Sequence, residues 1–152
     1  AGAPADNGLP LDMVLLYRAR EAGLSVAGLE TLEEQAGVLE GLSLADQQEL
    51  LRDTVCHYDR IRADQEALKR LYLQRDLAGL ARYADRYVSD SGSYDRLEKI
   101  LLTDRNRRMA DRMQDYLRRG DAFIAVGAMH LPGRRGLLRL LEQAGYRVEP
   151  VY

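Results

Sequence analysis

The sequence predicts a helix-rich α/β fold with a small, largely parallel sheet, and two observations lead to that prediction. Three short, apolar, β-prone runs occur at residues 25–29, 123–126 and 147–151. The last two flank a helical pattern at residues 135–143, and a strand–helix–strand unit of this kind is parallel and right-handed. We therefore expect a long helical insertion followed by a C-terminal βαβ unit. Three strands are few for so much helix, which predicts a truncated domain.

The 152 residues are expected to form one partial domain with three parts besides its first strand. A hydrophobic content of 46% suffices for a single core. Residues 1–10 read as a linker or loop, residues 31–120 as the helical insertion and residues 121–152 as the strand–helix–strand unit. The opening at Ala1 has no periodic pattern, so we interpret the chain as a piece of a longer protein.

The helices are predicted from their ends and their periodicity. Residues 11–22 form a first helix that ends at Gly23. Thr31 and Glu34 have the spacing of a capping box, and Ser43 is a second N-cap. The pattern after Ser43 is long and carries an apolar seam that favours packing on another helix, formed by Leu51, Thr54, Tyr58, Ile61, Gln65, Leu68 and Tyr72.

Two further helices, at residues 76–87 and 95–119, complete the insertion, with a loop at residues 89–93 between them. On a helical wheel, one arc of roughly 140° between Leu102 and Leu117 is apolar or aromatic except for two residues. These are Arg105 and Asn106. Burying them without partners costs several kcal/mol, so we expect them to meet a carboxylate, a backbone group or a ligand. The alternative is a structural pair that anchors the helix to a loop.

Composition and charge exclude several classes of function. A net charge of −2, with both signs mixed along the chain, gives no continuous basic surface for nucleic acid. No apolar run approaches the roughly 20 residues that span a bilayer. The single cysteine, Cys56, rules out an intramolecular disulfide and is expected to be a packing residue, and His57 is expected at the surface.

Glu30 and His130 are the candidate site residues. Glu30 ends the first predicted strand, and His130 lies in the loop that follows the strand at residues 123–126. If the two strands are parallel neighbours, both side chains emerge at one sheet edge, about 4–8 Å apart, where a carboxylate and an imidazole suit a metal or general-base site. The alternative for His130 is a helix-capping or packed histidine.

With these residues identified, the chain resembles the TraB/GumN family, which is related to the Tiki metalloproteases and the erythromycin-esterase-like group. The resemblance runs over nearly the whole chain, and its most specific part is the string around His130. The matching residues are Leu11-Asp12, Gly28-Leu29-Glu30-Thr31, Glu34-Gln35, Tyr72, Asp76-Leu77, Arg105-Asn106, Met109-Ala110, Val126-Gly127-Ala128-Met129-His130-Leu131-Pro132-Gly133, Gly136-Leu137-Leu138 and Gly145-Tyr146.

The resemblance implies a metal-dependent hydrolase, with a peptide or protein as substrate and Mn²⁺, Co²⁺ or Zn²⁺ as cofactor. His130 then matches the second of the family's two Gly-x-x-His motifs as a metal ligand, and Glu30 matches its glutamate as ligand or general base. Arg105 and Asn106 would orient the glutamate or stabilise developing negative charge. The first Gly-x-x-His motif has no counterpart, so the chain alone is expected to be inactive and to hold no metal.

The sequence leaves a second function open, a non-enzymatic module that binds a peptide or protein and uses the long helices as its surface. For either function, a homodimer is expected from an uncovered sheet edge. The family suggests a bacterial protein of the periplasm, the cell surface or the secreted fraction.

Overall fold

The computed structural model describes residues 8–84, 86 and 93–151, and this part of the chain is mainly helical. The α-helices of the described part are α1 (Leu11–Glu21), α2 (Leu32–Glu40), α3 (Leu44–Cys56), α4 (Tyr58–Leu73), α5 (Leu77–Ala84), α6 (Ser93–Glu98), α7 (Asp104–Arg119) and α8 (Leu137–Gln143). A π-helical turn (Lys99–Thr103) joins α6 to α7, and a 3₁₀ turn (Ala128–His130) precedes α8.

Two of the predicted helix starts are confirmed by their capping hydrogen bonds. The Thr31 amide donates to Glu34 Oε2 at 2.9 Å, and the Glu34 amide donates to Thr31 Oγ1 at 3.2 Å. This is the reciprocal pair of a capping box, and it begins α2. Ser43 begins α3 in a similar way, because its hydroxyl oxygen accepts a hydrogen bond from the Asp46 amide at 3.2 Å.

The long helix predicted after Ser43 is interrupted at His57, which separates α3 from α4. There His57 Nδ1 donates to the Asp53 carbonyl oxygen at 2.9 Å and so closes the end of α3. Much of the expected seam is not a packing surface, since Leu51 and Tyr58 are 65% and 72% exposed. Cys56 is exposed as well, so the prediction of a packing cysteine was wrong.

The core lies between α7 and α8. Met109, Ala110, Met113 and Leu137 are buried together, and α7 supplies the first three of them. This buried face is the apolar arc expected for the helix. Partly buried side chains from several segments complete the core, namely Leu29, Leu117, Ile124, Val126, Leu131, Leu140 and Leu141.

The predicted α/β class is wrong, because the described residues contain no strand and no sheet. The runs at residues 25–29, 123–126 and 147–151 lie outside helices, and none of them forms a backbone ladder with another described segment. A β-prone segment becomes a strand only when its amide and carbonyl groups pair with another segment. The expected βαβ unit is therefore a pair of non-helical segments on either side of α8.

The remaining boundaries are only partly described. Residues 8–10 are non-helical, while residues 1–7 lie outside the described part of the chain. The same holds for Tyr87, the predicted end of a helix, and for residues 89–92 of the predicted loop. No helix in the described ranges is long and apolar enough to cross a membrane. The division of the chain into a linker, an insertion and a C-terminal unit stays a prediction.

Candidate functional site

Arg105 holds Glu30 through two hydrogen bonds. Arg105 Nε donates to Glu30 Oε1 at 2.8 Å and Arg105 Nη2 donates to Glu30 Oε2 at 2.7 Å. The carboxylate side chain is only 5% exposed and the arginine side chain 21%. Arg105 Nη1 also donates to the Leu101 carbonyl oxygen in the π-helical turn at 3.2 Å. The planar guanidinium therefore fixes the orientation of the Glu30 carboxylate relative to the start of α7.

The Arg105 hydrogen bonds are the largest influence on the pKa of Glu30, and they lower it. Burial acts in the opposite direction, while the positive charges of Arg105 and Arg108, and that of His130 when its ring is protonated, reinforce the lowering. The net result is a pKa below the ordinary carboxyl value, so Glu30 is ionised near neutral pH. Arg108 Nη2 lies 3.7 Å from Glu30 Oε1 as a second, looser ion pair.

A second arginine–glutamate pair lies about two turns further along α7. Arg112 donates to both oxygens of Glu34, at 2.6 and 2.7 Å, and also to the Leu29 carbonyl oxygen at 2.8 Å. Hydrogen bonds from Arg112 lower the pKa of Glu34 to about 2, and the Thr31 amide adds to the effect. These contacts tie the start of α2, and with it the segment that carries Glu30, to α7.

Asn106, the residue after Arg105, holds His130. The Asn106 Oδ1 and His130 Nδ1 atoms are 2.7 Å apart, and both residues are buried. Asn106 Nδ2 donates to the Arg135 carbonyl oxygen at 2.9 Å, just before α8. His130 itself ends the 3₁₀ turn, where its amide donates to the Gly127 carbonyl oxygen at 2.9 Å. One asparagine side chain therefore connects the histidine loop with the start of α8.

The surroundings of His130 favour the neutral imidazole. Burial is the largest influence and lowers the pKa of His130, and the positive charge of Arg105 lowers it further. The negative charge of Glu30 acts in the opposite direction, which also shows that the two candidate residues lie within electrostatic reach of each other. A neutral histidine has one ring nitrogen available as a lone-pair donor.

The structure thus brings together the four residues that the sequence analysis singled out, namely Glu30, Arg105, Asn106 and His130. They meet through side chains of α7 and not, as expected, at the edge of a sheet. The expected burial and partners of Arg105 and Asn106 are confirmed, with Glu30 and His130 as those partners. The roles of the four residues in catalysis or metal binding stay predictions. Sequence reasoning missed Arg108 and Arg112. Arg108 follows Arg105 by three residues and Arg112 follows Arg108 by four, a spacing that already places the three arginines on one helix face.

A shallow groove, open to solvent, lies beside the His130 loop. It has a volume of about 310 Å³. Its walls come from α4, α5 and the 3₁₀ turn and are mostly apolar: Leu68, Lys69, Tyr72, Leu80, Ala128 and Met129. A second recess also reaches Ala128 and Leu131, the residues on either side of Met129 and His130. The surface next to His130 can therefore accept an apolar group.

The donor groups meet the requirements of a metal centre only in part. His130 has one ring nitrogen bound to Asn106, and each Glu30 oxygen accepts one Arg105 hydrogen bond, which leaves a second lone pair on each oxygen. In the described ranges, however, no three histidine, cysteine or acidic residues form a group that could hold a metal ion. Arg105, Arg108 and Arg112 carry three positive charges against the two negative charges of Glu30 and Glu34. This group of side chains is therefore positively charged, which opposes cation binding.

Comparison with known proteins gives two matches and one negative result. The profile of the TraB/PrgY/gumN family matches residues 1–150. Metalloprotease TIKI2 of Danio rerio is 29% identical over 166 aligned positions, which cover 91% of this chain and 32% of that protein. The chain thus spans about a third of the length of this relative. No solved structure matches the chain significantly.

Proposed function

We propose, since the chain belongs to the TraB/PrgY/gumN family, that it supplies Glu30 and His130 to a metal-dependent, peptidase-like hydrolase. The observation that carries the proposal is the pairing on α7. Two consecutive residues, Arg105 and Asn106, hold Glu30 and His130, the two residues that would match the family's glutamate and second Gly-x-x-His motif. Orientation of candidate ligands by further hydrogen bonds is typical of metal sites in proteins.

Each of the four residues has a distinct part in the proposed site. His130 offers a neutral ring nitrogen to the cation, and Glu30 offers ionised carboxylate oxygens to the cation or to the proton of an attacking water. Arg105 and Asn106 keep the two groups in place. A divalent cation would polarise the scissile carbonyl and lower the pKa of a bound water. Mn²⁺, Co²⁺ and Zn²⁺ are the candidates, as for the family.

The ligand count predicts that this chain alone binds metal weakly. A catalytic zinc site takes about three protein ligands, and the cluster offers two. We propose that the remaining ligand comes from sequence outside this chain, in the form of the family's other Gly-x-x-His motif. The substrate would be a peptide, in line with the relative named a metalloprotease. The groove beside His130 would take one of its apolar side chains.

A second function, a non-enzymatic module that binds peptides or proteins, is favoured by the surface of α3 and α4. Val55, Tyr58 and Leu73 are each about two thirds exposed or more. Exposed apolar residues on neighbouring helices are a common feature of partner-binding surfaces. In this case the groove beside His130 would bind a partner without catalysing a reaction, and the Arg105–Glu30 pair would serve only to stabilise the fold. The periplasm or cell surface is the compartment we propose for either function.

Calorimetric titration with Co²⁺ and Zn²⁺ tests the proposed site. The protein forms to be compared are this chain, a longer form that includes the rest of the family domain, and His130→Ala and His57→Ala variants of the longer form. We expect stoichiometric binding by the longer form, weak binding by this chain and a loss of at least about tenfold in His130→Ala. His57→Ala should bind normally. Unchanged binding after His130→Ala would remove His130 from the site and favour the binding module.

A further inference from the structure

The hydrogen bonds of Asn106 fix the orientation of its amide group. The Arg135 carbonyl oxygen lies 2.9 Å from one end of the amide, and a carbonyl oxygen can only accept a hydrogen bond. The end that faces Arg135 must therefore be the NH₂ group. It follows that the other end, which faces His130 Nδ1 at 2.7 Å, is the carboxamide oxygen.

The orientation of Asn106 then decides which nitrogen of His130 carries the proton. A carboxamide oxygen also only accepts, so the short contact is a hydrogen bond only if Nδ1 carries a hydrogen and donates it. A neutral imidazole has one N–H, and therefore Nε2 carries a bare lone pair. A histidine in water prefers the opposite tautomer, with the hydrogen on Nε2, so the protein reverses the intrinsic preference.

We infer that Asn106 is a positioning residue that holds His130 as the Nδ1–H tautomer and thereby makes Nε2 the atom that meets a cation or a proton. The inference deepens the proposed function, and the use of Nε2 rests on that function. The tautomer itself does not, because the two hydrogen bonds of Asn106 place the hydrogen of a neutral His130 ring on Nδ1.

The loop before α8 takes part in this arrangement, because it provides the Arg135 carbonyl that orients the amide. The Gly136 amide donates to the Gly133 carbonyl oxygen at 3.1 Å, and the Leu138 amide reaches the Leu131 carbonyl oxygen at 3.4 Å. Leu131 directly follows His130 in the chain. The same short loop therefore positions both the histidine and the group that determines its tautomer.

Long-range ¹H–¹⁵N correlation spectra of the histidine-labelled protein test the inference directly, near pH 7.5. Protonated and bare ring nitrogens resonate in separate regions, and the couplings to the two carbon-bound ring protons identify each nitrogen. The chain has two histidines, so His57→Gln assigns the signals. We expect a protonated Nδ1 and a bare Nε2 for His130. A protonated Nε2 in the unmodified protein would overturn the inference, whatever the variants show.

Two substitutions of Asn106 separate a positioning role from simple packing. Asn106→Leu has a similar size but no acceptor, so His130 should shift toward the Nε2–H tautomer. Asn106→Asp keeps an acceptor and should keep the Nδ1–H pattern. The His57 signals serve as an internal control in both variants. An unchanged His130 pattern in a folded Asn106→Leu protein would show that Asn106 does not select the tautomer.

Metal titration then distinguishes this inference from the proposed function. If His130 Nε2 is a ligand, Asn106→Leu should weaken Co²⁺ binding roughly 10- to 100-fold, the usual effect of removing the group that orients a ligating histidine. Asn106→Asp should restore most of the affinity. If no form of the protein binds a cation, the proposed hydrolase fails. The tautomer measured by NMR still decides the role of Asn106.

Discussion

Arg105 and Glu30 lie 75 positions apart in the sequence, yet they form a two-pronged pair in which both carboxylate oxygens accept hydrogen bonds from one guanidinium. The pair joins the segment before α2 to the first turn of α7. Because the Glu30 side chain is only 5% exposed, water does little to stabilise its negative charge, and Arg105 provides that stabilisation instead. Removal of either member would leave a poorly hydrated charge.

The first prediction concerns this pair. Arg105→Met should lower the free energy of unfolding by about 2–3 kcal/mol, somewhat less than the roughly 3–5 kcal/mol of a completely buried pair, because Arg105 is partly exposed. Arg107→Met is a matched control on the same helix, since Arg107 is 64% exposed and lies 3.8 Å from Asp104. Its effect should stay within about 0.5 kcal/mol. Urea denaturation measures the free energy of unfolding of both variants. Equal losses of stability would contradict a stabilising role for the Arg105–Glu30 pair.

The second prediction concerns the pH dependence of stability. The pKa of Glu34 is about 2 in the folded chain, against an ordinary value of 4.5. Glu34 therefore contributes stability above about pH 4.5, and the contribution is lost as the pH falls toward 2, because the unfolded chain takes up the proton first. Thermal melts of the parent and Glu34→Gln at several pH values test this. Glutamine keeps one oxygen for the Thr31 amide, so the capping box is retained, while the charge and one acceptor for Arg112 are removed.

Glu34→Gln should be less stable than the parent at pH 7, and its stability should decline less between pH 4.5 and 2. Glu30 and Asp46, whose pKa values are lowered mainly by hydrogen bonds from Arg105 and Arg96, contribute to the remaining decline, as does Glu33, whose pKa is lowered mainly by a hydrogen bond to the backbone. Parallel pH profiles for parent and variant would show that the Arg112–Glu34 pair does not contribute to the acid dependence.

The arrangement on α7 could be predicted from sequence because it depends on a local period. Apolar residues every three or four positions define one face, and two polar residues on that face need partners whatever the rest of the fold. Met109 and Met113 are buried as expected, and Arg105 and Asn106 have the partners that burial requires. The capping box at Thr31 was predictable for the same reason, since both partners lie within four residues.

The absence of a sheet from the described residues could not be predicted, because strand pairing depends on distant segments. In the segment before the 3₁₀ turn, Ile124 and Val126 pack on the core while Phe123 is 81% exposed. This alternation of exposure is the pattern of a half-buried strand, whereas the sequence at residues 123–126 shows only a continuous apolar run. It does not show whether another segment lies alongside. Glu30 and His130 were therefore expected to meet at a sheet edge, whereas the side chains of α7 bring them together.

The third prediction uses Thr103, which lies in the π-helical turn before α7. Its side chain is 2% exposed, and Oγ1 has no hydrogen-bond partner among the described residues. Thr103→Val keeps the shape and removes the unsatisfied hydroxyl, so the free energy of unfolding should stay equal or rise by up to about 1 kcal/mol. Thr31→Val is the contrasting change, because it removes a capping oxygen and should cost about 1 kcal/mol. Destabilisation by both changes would imply a partner for Thr103.

The fourth prediction concerns Gly136, which begins the turn into α8. A Cβ atom at this position would lie 2.0 Å from the Pro132 carbonyl oxygen and 2.3 Å from that of Leu131. Both atoms belong to the backbone, so neither can move without displacing the loop. Gly136→Ala should therefore destabilise the chain by about 2–3 kcal/mol, in the upper part of the range for overpacking. Urea denaturation gives the value.

Gly127→Ala is the matched control for Gly136→Ala, because its Cβ would meet only His130 Cδ2, at an ordinary 3.5 Å, and its φ of −60° suits any residue. Its effect on stability should be small. The two variants should also differ at His130. Displacing the loop at Gly136 moves the Arg135 carbonyl that orients Asn106, so Gly136→Ala should lose the uniform Nδ1–H pattern, whereas Gly127→Ala should keep it. A folded Gly136→Ala protein with an unchanged His130 spectrum would show that the loop does not set the tautomer.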